Sequence, residues 1–258
     1  MKRIYIFDID NTIKTSPGSK IYRQTIKLIK TLSKNPNYIL GFATGRGPSK
    51  LDGLKRIKKY FKYQILVNGA IIIENKKLIY ERVIAKEDIK LILDDTYKNK
   101  QSLGMVGFNE EAVSFFDDNV KFAFTGYTKK PPVINPLFYL NNKVYQLWMF
   151  NKDNEKLLKI CNKYPKFKPY LWHEGGLDLT YPDVTKEKAI DLIIKKHPDH
   201  LLITIGDGHN DIEMINKGDI GVIMGNSKWK DYVKKETLVA PNINDNKLFD
   251  FFKENNLL

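Results

Sequence analysis

The sequence predicts an α/β fold in which both ends of the chain build one parallel sheet and an α+β module is inserted between them. Short apolar strands alternate with amphipathic helices from residue 1 to about residue 70, and again from about residue 186 onward. This alternation indicates parallel strands joined by crossover helices. Between the two regions, short strands and helices follow one another without alternation, which is typical of an α+β domain.

The first region contains three predicted strands, which are Arg3–Phe7, Tyr38–Ala43 and Ile65–Val67. They are short apolar runs rich in aromatic and β-branched residues. A helix is predicted over Ser19–Leu32 from the spacing of its apolar residues. The stretch Ala70–Glu81 predicts a hairpin that turns at an Asn-Lys pair.

A basic segment, Lys50–Lys62, is predicted to form a further amphipathic helix. It holds the densest part of a formal net charge of +13. We favour the interpretation that this basic segment is the solvated face of a lysine-rich protein. The alternative is a nucleic-acid-binding surface. A basic surface also attracts phosphorylated substrates.

In the inserted module, the sequence predicts helices over Lys86–Tyr97 and Asp153–Lys163. It predicts strands over Tyr145–Phe150 and Leu177–Tyr181. Its loop Trp172–Gly176 is either an ordinary surface loop or one that selects substrate. The aromatic residues of the strand that ends at Phe150 are expected in the module's core.

The last region predicts two strands and four helices. The strands are Leu201–Ile205 and Ile220–Met224, and the helices are Lys186–Lys196, Asp211–Lys217, Lys228–Lys234 and Asn246–Lys253. We therefore expect one domain from residues 1–82 and 182–258 and an inserted domain from residues 83–181.

Cysteine usage and hydropathy narrow the protein class. Cys161 is the only cysteine, so an intramolecular disulfide is excluded. No stretch reaches the roughly 18 apolar residues needed to span a bilayer, and two aspartates interrupt the first apolar run before it resembles a signal peptide. We expect a cytoplasmic protein without membrane partners, acting as a monomer or weak homodimer.

Asp8 and Asp10 stand directly after the first predicted strand. Residues two apart on a strand point the same way, so the two carboxylates are expected on one side at the strand's carboxyl end. Their repulsion is relieved by a shared proton or a hard cation such as Mg²⁺. Alone, this pair is a weak signal.

A second acidic turn, Gly206-Asp207-Gly208-His209-Asn210-Asp211, follows the strand Leu201–Ile205. It does not match a calcium-binding EF-hand loop, because Glu is missing at the twelfth position. Its glycines permit a tight turn and close approach of the backbone to a ligand. Together, the two acidic turns predict a magnesium site.

A third turn, Thr44-Gly45-Arg46, follows the second strand. Its hydroxyl and backbone amides suit phosphate oxygens, although a simple turn explains the same residues. No glycine-rich nucleotide-binding signature is present.

These motifs, in this order, resemble the haloacid dehalogenase-like superfamily of phosphatases, and the Cof-type branch with a large inserted cap most of all. The resemblance spans nearly the whole chain. It rests on Asp8-x-Asp10-x-Thr12, Thr44-Gly45-Arg46, Asn68-Gly69-Ala70, Lys186 in Thr185–Ala189, and Gly206–Asp211. It implies a Rossmann-like core, a specificity cap and hydrolysis of a small phosphorylated metabolite such as a sugar phosphate.

The resemblance also implies roles for individual residues. Asp8 is the expected nucleophile, forming an aspartyl-phosphate, and Asp10 the general acid and base. Thr44 and Lys186 are expected to bind the transferring phosphoryl group; Lys188 is a competing candidate for the lysine. The expected Mg²⁺ ligands are Asp8, Asp10 through its carbonyl, Asp207 and Asp211, with Asp211 and Asn210 acting directly or from the second shell.

The remaining expectations concern the substrate pocket. Gly45, Arg46 and Asn68 are candidate phosphate- or substrate-binding residues, together with Asn210. Asn11 stands where the family commonly has glycine, and since Asn tolerates positive φ, the turn is expected to survive. A sugar phosphomutase using the same chemistry is the alternative within the family.

Overall fold

The computed structural model describes residues 1–16, 18, 20–125, 131–172 and 174–258, so that His173 of the loop 172–176 lies outside the described residues. The chain divides into two compact units. The first contains residues 1–44, 51–80 and 185–258, and the second contains residues 45–50 and 81–184. The sequence predicts residues 45–50 in the first domain, whereas the structure groups them with the second unit.

The described residues form the following strands and helices. The strands are β1 (Lys2–Phe7), β2 (Tyr38–Ala43), β3 (Tyr63–Leu66), β4 (Ile71–Glu74), β5 (Lys77–Glu81), β6 (Leu103–Val106), β7 (Glu111–Val113), β8 (Val133–Ile134), β9 (Gln146–Phe150), β10 (Lys168–Leu171), β11 (Gly176–Thr180), β12 (His200–Gly206), β13 (Ile220–Met224) and β14 (Leu238–Ala240). The helices are α1 (Arg23–Leu32), α2 (Lys86–Lys98), α3 (Asp118–Phe124), α4 (Phe138–Asn141), α5 (Asn154–Cys161), α6 (Lys186–Ile194), α7 (Ile212–Lys217) and α8 (Leu248–Glu254).

The first unit is built on an eight-stranded sheet in the order β14-β13-β12-β1-β2-β3-β4-β5. Strands β1, β2, β3, β12, β13 and β14 are parallel, which confirms the predicted parallel sheet from both ends of the chain. Strand β4 runs antiparallel to β3. The predicted hairpin joins β4 to β5 through Asn75 and Lys76, both with positive φ.

Strand β1 lies inside the sheet and is covered on both of its faces. Its last four residues are fully buried, so helices cover both of its faces. Ile4 and Ile6 pack into a cluster with α6, while Tyr5 and Phe7 contact Phe252 of α8 on the other face. Each fully buried side chain of this size contributes roughly 1.5–3 kcal/mol. The carboxyl end of β1 is therefore a fixed platform.

The second unit contains a six-stranded sheet in the order β10-β11-β9-β6-β7-β8. Its pairs are antiparallel except for β7 and β8. Trp148 and Phe150 of β9 are buried and form an aromatic cluster with Phe124 and Trp172, which confirms that they belong to the core of this unit. In the part of the chain that the structure describes, no helix is long and apolar enough to cross a membrane.

The helix predicted over the basic segment Lys50–Lys62 is wrong. The structure has three short 3₁₀ turns there, at Pro48–Lys50, Asp52–Leu54 and Lys58–Tyr60. Leu51, Leu54 and Ile57 are buried, and their spacing of three residues matches the 3₁₀ period better than the α-helical one. Gly53 also disfavours an α-helix.

The helix predicted over Lys228–Lys234 is also wrong, because only the 3₁₀ turn Lys230–Tyr232 forms. Tyr232 is mostly exposed, and Trp229 and Val233 are only partly buried, so the segment lacks the buried apolar stripe that stabilises an α-helix. Short helices without such packing are marginal in water.

Candidate active site

Three parallel strands end at the same edge of the first unit's sheet. Phe7, the last residue of β1, pairs with Phe42 of β2 on one side and with Ile205 of β12 on the other. The residues that follow these strands, Asp8, Thr44 and Asp207, therefore come together, as the parallel topology predicts. Asp8 is held there by its amide, which donates to the carbonyl of Ile205 at 2.7 Å.

An acidic cluster occupies this edge. Carboxylate oxygens of Asp8, Asp207 and Asp211 all lie within 4.8 Å of one another. Asp8 and Asp211 are buried, and Asp207 is half-buried. Three carboxylates this close repel one another strongly unless a cation or proton compensates them.

The turn after β12 fixes Asp211 against its own backbone. The amides of Asp207 and Gly208 donate to Oδ2 of Asp211 at 3.0 and 2.8 Å. A Cβ at Gly206 would lie 2.6 Å from the Asp211 side chain, so a side chain at residue 206 is not tolerated. The glycine that the sequence marked as a tight-turn residue thus permits this close approach.

Lys186 joins the two acidic turns. Its Nζ donates to Oδ1 of Asp8 at 2.7 Å and to Oδ1 of Asp211 at 2.6 Å. The residue is only 1% exposed and is the first residue of α6, whose N-cap is Thr185. Lys188, the competing candidate, is exposed, so Lys186 is the lysine at the acidic cluster.

Burial and neighbouring like charges shift the pKa values of the groups in this cluster. Burial, with the negative charge of Asp211, raises the pKa of Asp8 to about 7, although Lys186 opposes the rise. Burial and the charge of Asp8 likewise raise the pKa of Asp207 well above its ordinary value. Burial lowers the pKa of Lys186, but Asp211 and Asp8 more than offset this, so its pKa is raised overall. The lysine stays charged while its carboxylates remain under-compensated.

The charge balance fits a divalent cation. Within the described part of the first unit, four carboxyl groups at this edge lie near two ammonium groups, so that full ionisation leaves two negative charges. The carboxylates are those of Asp8, Asp10, Asp207 and Asp211, and the ammonium groups are those of Lys14 and Lys186. An all-oxygen donor set of this kind suits Mg²⁺. The residues present therefore fit the expected metal.

Thr44, which follows β2, is hydrogen-bonded to Asn68. Thr44 is buried, and its carbonyl accepts from the amide of Asn68 at 3.0 Å. Val67, Asn68 and Gly69 all have positive φ, which is rare for a β-branched residue such as valine. This strained turn places Oδ1 of Asn68 at 2.7 Å from the Nδ2 of Asn210. Strain of this kind persists where the surrounding structure imposes it.

Asp10 pairs with a lysine that the sequence analysis did not single out. Lys14 Nζ lies 2.8 Å from Oδ1 of Asp10. The turn between them begins at Asn11, whose φ of 58° confirms that asparagine replaces glycine here without breaking the turn. The negative charge of Asp10 raises the pKa of Asp8, so the two carboxyl groups are near neighbours.

Gly45 and Arg46 belong to the second unit, whereas the residues described above belong to the first. There Lys50 Nζ lies 3.3 Å from Oε2 of Glu111. Burial raises the pKa of Glu111, and the charges of Lys50 and Arg46 oppose that rise. Arg46 thus compensates a buried carboxylate of its own unit.

Comparison with known proteins decides the family. A family model of haloacid dehalogenase-like hydrolases matches residues 5–250, which is nearly the whole chain. The chain belongs to the haloacid dehalogenase-like hydrolase family. As a member, it is an enzyme with an α/β core.

Two relatives, each named "Putative phosphatase", are similar along most of their length. YkrA of Bacillus subtilis is 26% identical over 231 residues, covering 87% of this chain and 87% of YkrA. The second, from Buchnera aphidicola, is 26% identical over 252 residues, covering 94% of this chain and 92% of the relative. A solved structure, that of the HAD subclass IIB sugar phosphatase BT4131, matches with a TM-score of 0.87 at 24% identity, and each chain is covered completely. This last likeness shows a shared fold.

Two further residues of this hydrolase connect to Asp207 and were missed in the sequence. Nδ2 of Asn226 donates to Oδ2 of Asp207 at 3.3 Å and to the carbonyl of Asn11 at 3.1 Å. Ser227 Oγ donates to the carbonyl of Asp207 at 2.6 Å. Their position directly after β13 was the available signal, because that strand ends at the same edge of the sheet.

Proposed function

We propose that this protein is a Mg²⁺-dependent phosphatase that hydrolyses phosphomonoesters of small metabolites through an aspartyl-phosphate on Asp8. The observation that carries the proposal is the contact of Lys186 with both Asp8 and Asp211 inside the acidic cluster. A buried carboxylate beside a buried ammonium and a cation site is what attack on an anionic phosphate requires, because the negative charges would otherwise repel.

In the first half of the reaction, Asp8 attacks the phosphorus and the bond to the leaving oxygen breaks. Asp10 gives its proton to that oxygen, which departs as an alcohol. Lys186 and the hydroxyl of Thr44 bind the phosphoryl oxygens, and the ammonium offsets the charge that develops on them. In the second half, Asp10 takes a proton from water, which attacks the phosphorus and frees Asp8.

Asp8, Asp207, Asp211 and the Asp10 carbonyl are the residues that would hold Mg²⁺. When bound, the ion supplies positive charge that offsets the phosphate and the clustered carboxylates. The amides that hold Asp211, and Asn226 beside Asp207, keep these oxygens oriented toward one another. Asn210, fixed by Asn68, is suited to orient a water or a phosphate oxygen near them.

The proposed substrate is a sugar phosphate or a similar small phosphorylated metabolite, and the protein is proposed to act in the cytoplasm. The name of BT4131 as a sugar phosphatase supports this class. The net charge of +13 favours anionic substrates in general. We infer that residues 83–181, with Gly45 and Arg46, select among such substrates.

A screen of phosphorylated metabolites with Mg²⁺ tests the proposal, with phosphate release as the readout. Asp8→Asn serves as the blank, because it removes the nucleophile and keeps the shape of the side chain. We expect release by the native protein, loss on chelation of Mg²⁺, and none from the variant. Equal release by both proteins would refute the proposal.

A further inference from the structure

Lys14 is a buried lysine whose charged group points back to Asp10. The residue is 3% exposed, whereas the side chain of Asp10 is 28% exposed. Burying an ammonium group costs several kcal/mol unless a close partner compensates it. A leucine or methionine at this position would be buried without that cost. The distance of 2.8 Å between Nζ and Oδ1 therefore indicates that the charge itself serves Asp10.

The backbone, and not the flexible stem alone, fixes where the ammonium lies. The amide of Asn11 donates to the carbonyl of Lys14 at 2.6 Å, and the amide of Lys14 donates to the carbonyl of Ile9 at 2.9 Å. Oδ1 of Asn11 also accepts from the amide of Ser16 at 2.9 Å. Lys14 is thus closed into a tight turn across from Asp10, four residues earlier.

The charges around Asp10 explain what the ion pair with Lys14 does. Asp10 contributes negative charge to both Asp8 and Asp207, so like charges push its carboxyl group away from the nucleophile. Its side chain is 28% exposed, so water competes for the carboxyl group. The ion pair with Lys14 opposes both tendencies.

We propose that Lys14 is a positioning residue that holds the Asp10 carboxyl group in place for proton exchange with the leaving group. This rests on the proposed function. As the phosphorus–oxygen bond breaks, its electron pair goes to the leaving oxygen, which takes the proton from Asp10. Asp10 is left as a carboxylate beside the Lys14 ammonium, until water returns a proton to it in the second half of the reaction.

The experiment uses two probes of similar shape. p-Nitrophenyl phosphate has a leaving group that departs without a proton, and benzyl phosphate has an alkyl leaving group that needs one. The readout is kcat/KM, which reports the steps through departure of the leaving group. Lys14→Met, Lys14→Arg, Asp10→Asn and the Lys14→Met/Asp10→Asn double variant are compared with the native protein.

We expect Lys14→Met to lower kcat/KM for benzyl phosphate by about 100-fold, the lower range for a general acid. The loss for p-nitrophenyl phosphate is expected to stay below about threefold, and this retained activity also shows that the variant folds. Lys14→Arg keeps the cation and should recover most of the benzyl phosphate activity. The double variant should have the same kcat/KM for benzyl phosphate as Asp10→Asn, because both changes impair the same proton transfer.

Three outcomes would overturn the inference. Equal losses for both probes would show a structural role, a raised KM with unchanged kcat would show that Lys14 binds the substrate anion, and additive losses in the double variant would separate Lys14 from Asp10. If the native protein released phosphate from neither probe nor from any metabolite, the proposed function itself would fail. That result is distinct from all three.

Discussion

At each end of the first unit's sheet, carboxylate and lysine side chains are in contact, yet their charges are balanced in opposite ways. At the carboxyl end, burial and like charge raise the pKa of Asp8 to about 7. At the amino end, Glu74 accepts from Tyr63 at 2.8 Å and from Lys196 at 3.0 Å. Burial alone raises the pKa of Glu74, but these hydrogen bonds and Lys62 lower it to about 2.

The difference distinguishes a candidate functional cluster from a structural one. Glu74 has two lysines and a tyrosine as partners, so its charge is already satisfied within the fold. The carboxyl end keeps more carboxylates than cations. Buried carboxylates whose negative charge is not balanced by cations are candidates for ligand binding. Without a ligand, such charges do not stabilise the fold.

The largest expected effect is on catalysis. Asp8→Asn should lower phosphate release by about 10⁴-fold, because it removes the nucleophile. Glu74→Gln at the opposite end should leave the rate within about twofold, since it touches no group of the proposed reaction. Initial rates with saturating Mg²⁺ measure both. Comparable losses in the two variants would erase the distinction between the ends.

The pH dependence of stability should have opposite signs at the two ends. In metal-free protein, the folded state holds a proton on Asp8 more tightly than the unfolded state, so its contribution falls as pH rises from about 4 to about 7. Glu74 instead contributes stability that is lost as pH falls toward about 2.

Thermal unfolding of the native protein, Asp8→Asn and Glu74→Gln across pH measures these contributions. Mg²⁺ should raise the melting temperature more at about pH 8 than at about pH 5, because binding requires the ionised carboxylate. Asp8→Asn should reduce that pH dependence, and the raised pKa of Asp207 accounts for the part that remains. A Mg²⁺ effect that is the same at both pH values would contradict the raised pKa.

Lys186→Met should destabilise metal-free protein by about 3 kcal/mol at neutral pH, because it leaves two buried carboxylates without their cation. Lys196→Met at the amino end should cost no more than ~1 kcal/mol, since the Lys196 side chain is 49% exposed and Lys62 remains near Glu74. Urea denaturation gives both values. Similar costs would place Lys186 among ordinary surface ion pairs.

The smallest effect is expected at Asn226. Asn226→Ala should raise the Mg²⁺ concentration for half-maximal activity by about tenfold, because Asp207 loses an orienting donor. Asn216→Ala is the matched control, since Asn216 bonds the backbone of Tyr232 and Lys234 and lies outside the acidic cluster. An unchanged Mg²⁺ requirement in Asn226→Ala would exclude that role.

The parallel sheet and the meeting of Asp8 with Asp207 followed from the sequence, because apolar strands and acidic turns are local patterns and parallel topology brings strand ends together. The α-helix predicted over the basic segment was wrong for a physical reason. Leu51, Leu54 and Ile57 fit an amphipathic α-helix approximately, but their spacing of three residues fits the 3₁₀ period better, and Gly53 disfavours an α-helix. In so short a segment, amphipathic spacing alone therefore does not distinguish the two kinds of helix.

Lys14 and Asn226 show the same limit at the site. Lys14 reads as one more surface lysine in a chain with 43 basic residues, and its burial depends on how a turn closes. Asn226 reaches Asp207 only because β13 pairs with β12. Partners set by the closure of a turn or by strand pairing were therefore missed, while residues within the motifs were predicted.

The most direct test of the central claim is to trap the phosphorylated enzyme. Native protein is acid-quenched during turnover of p-nitrophenyl phosphate with Mg²⁺, and the phosphorylated peptide is identified by mass spectrometry. We predict a phosphoryl group on Asp8, and none in Asp8→Asn. A phosphoryl group on another residue, or phosphate release that persists in the variant, would contradict the assignment of Asp8 as nucleophile.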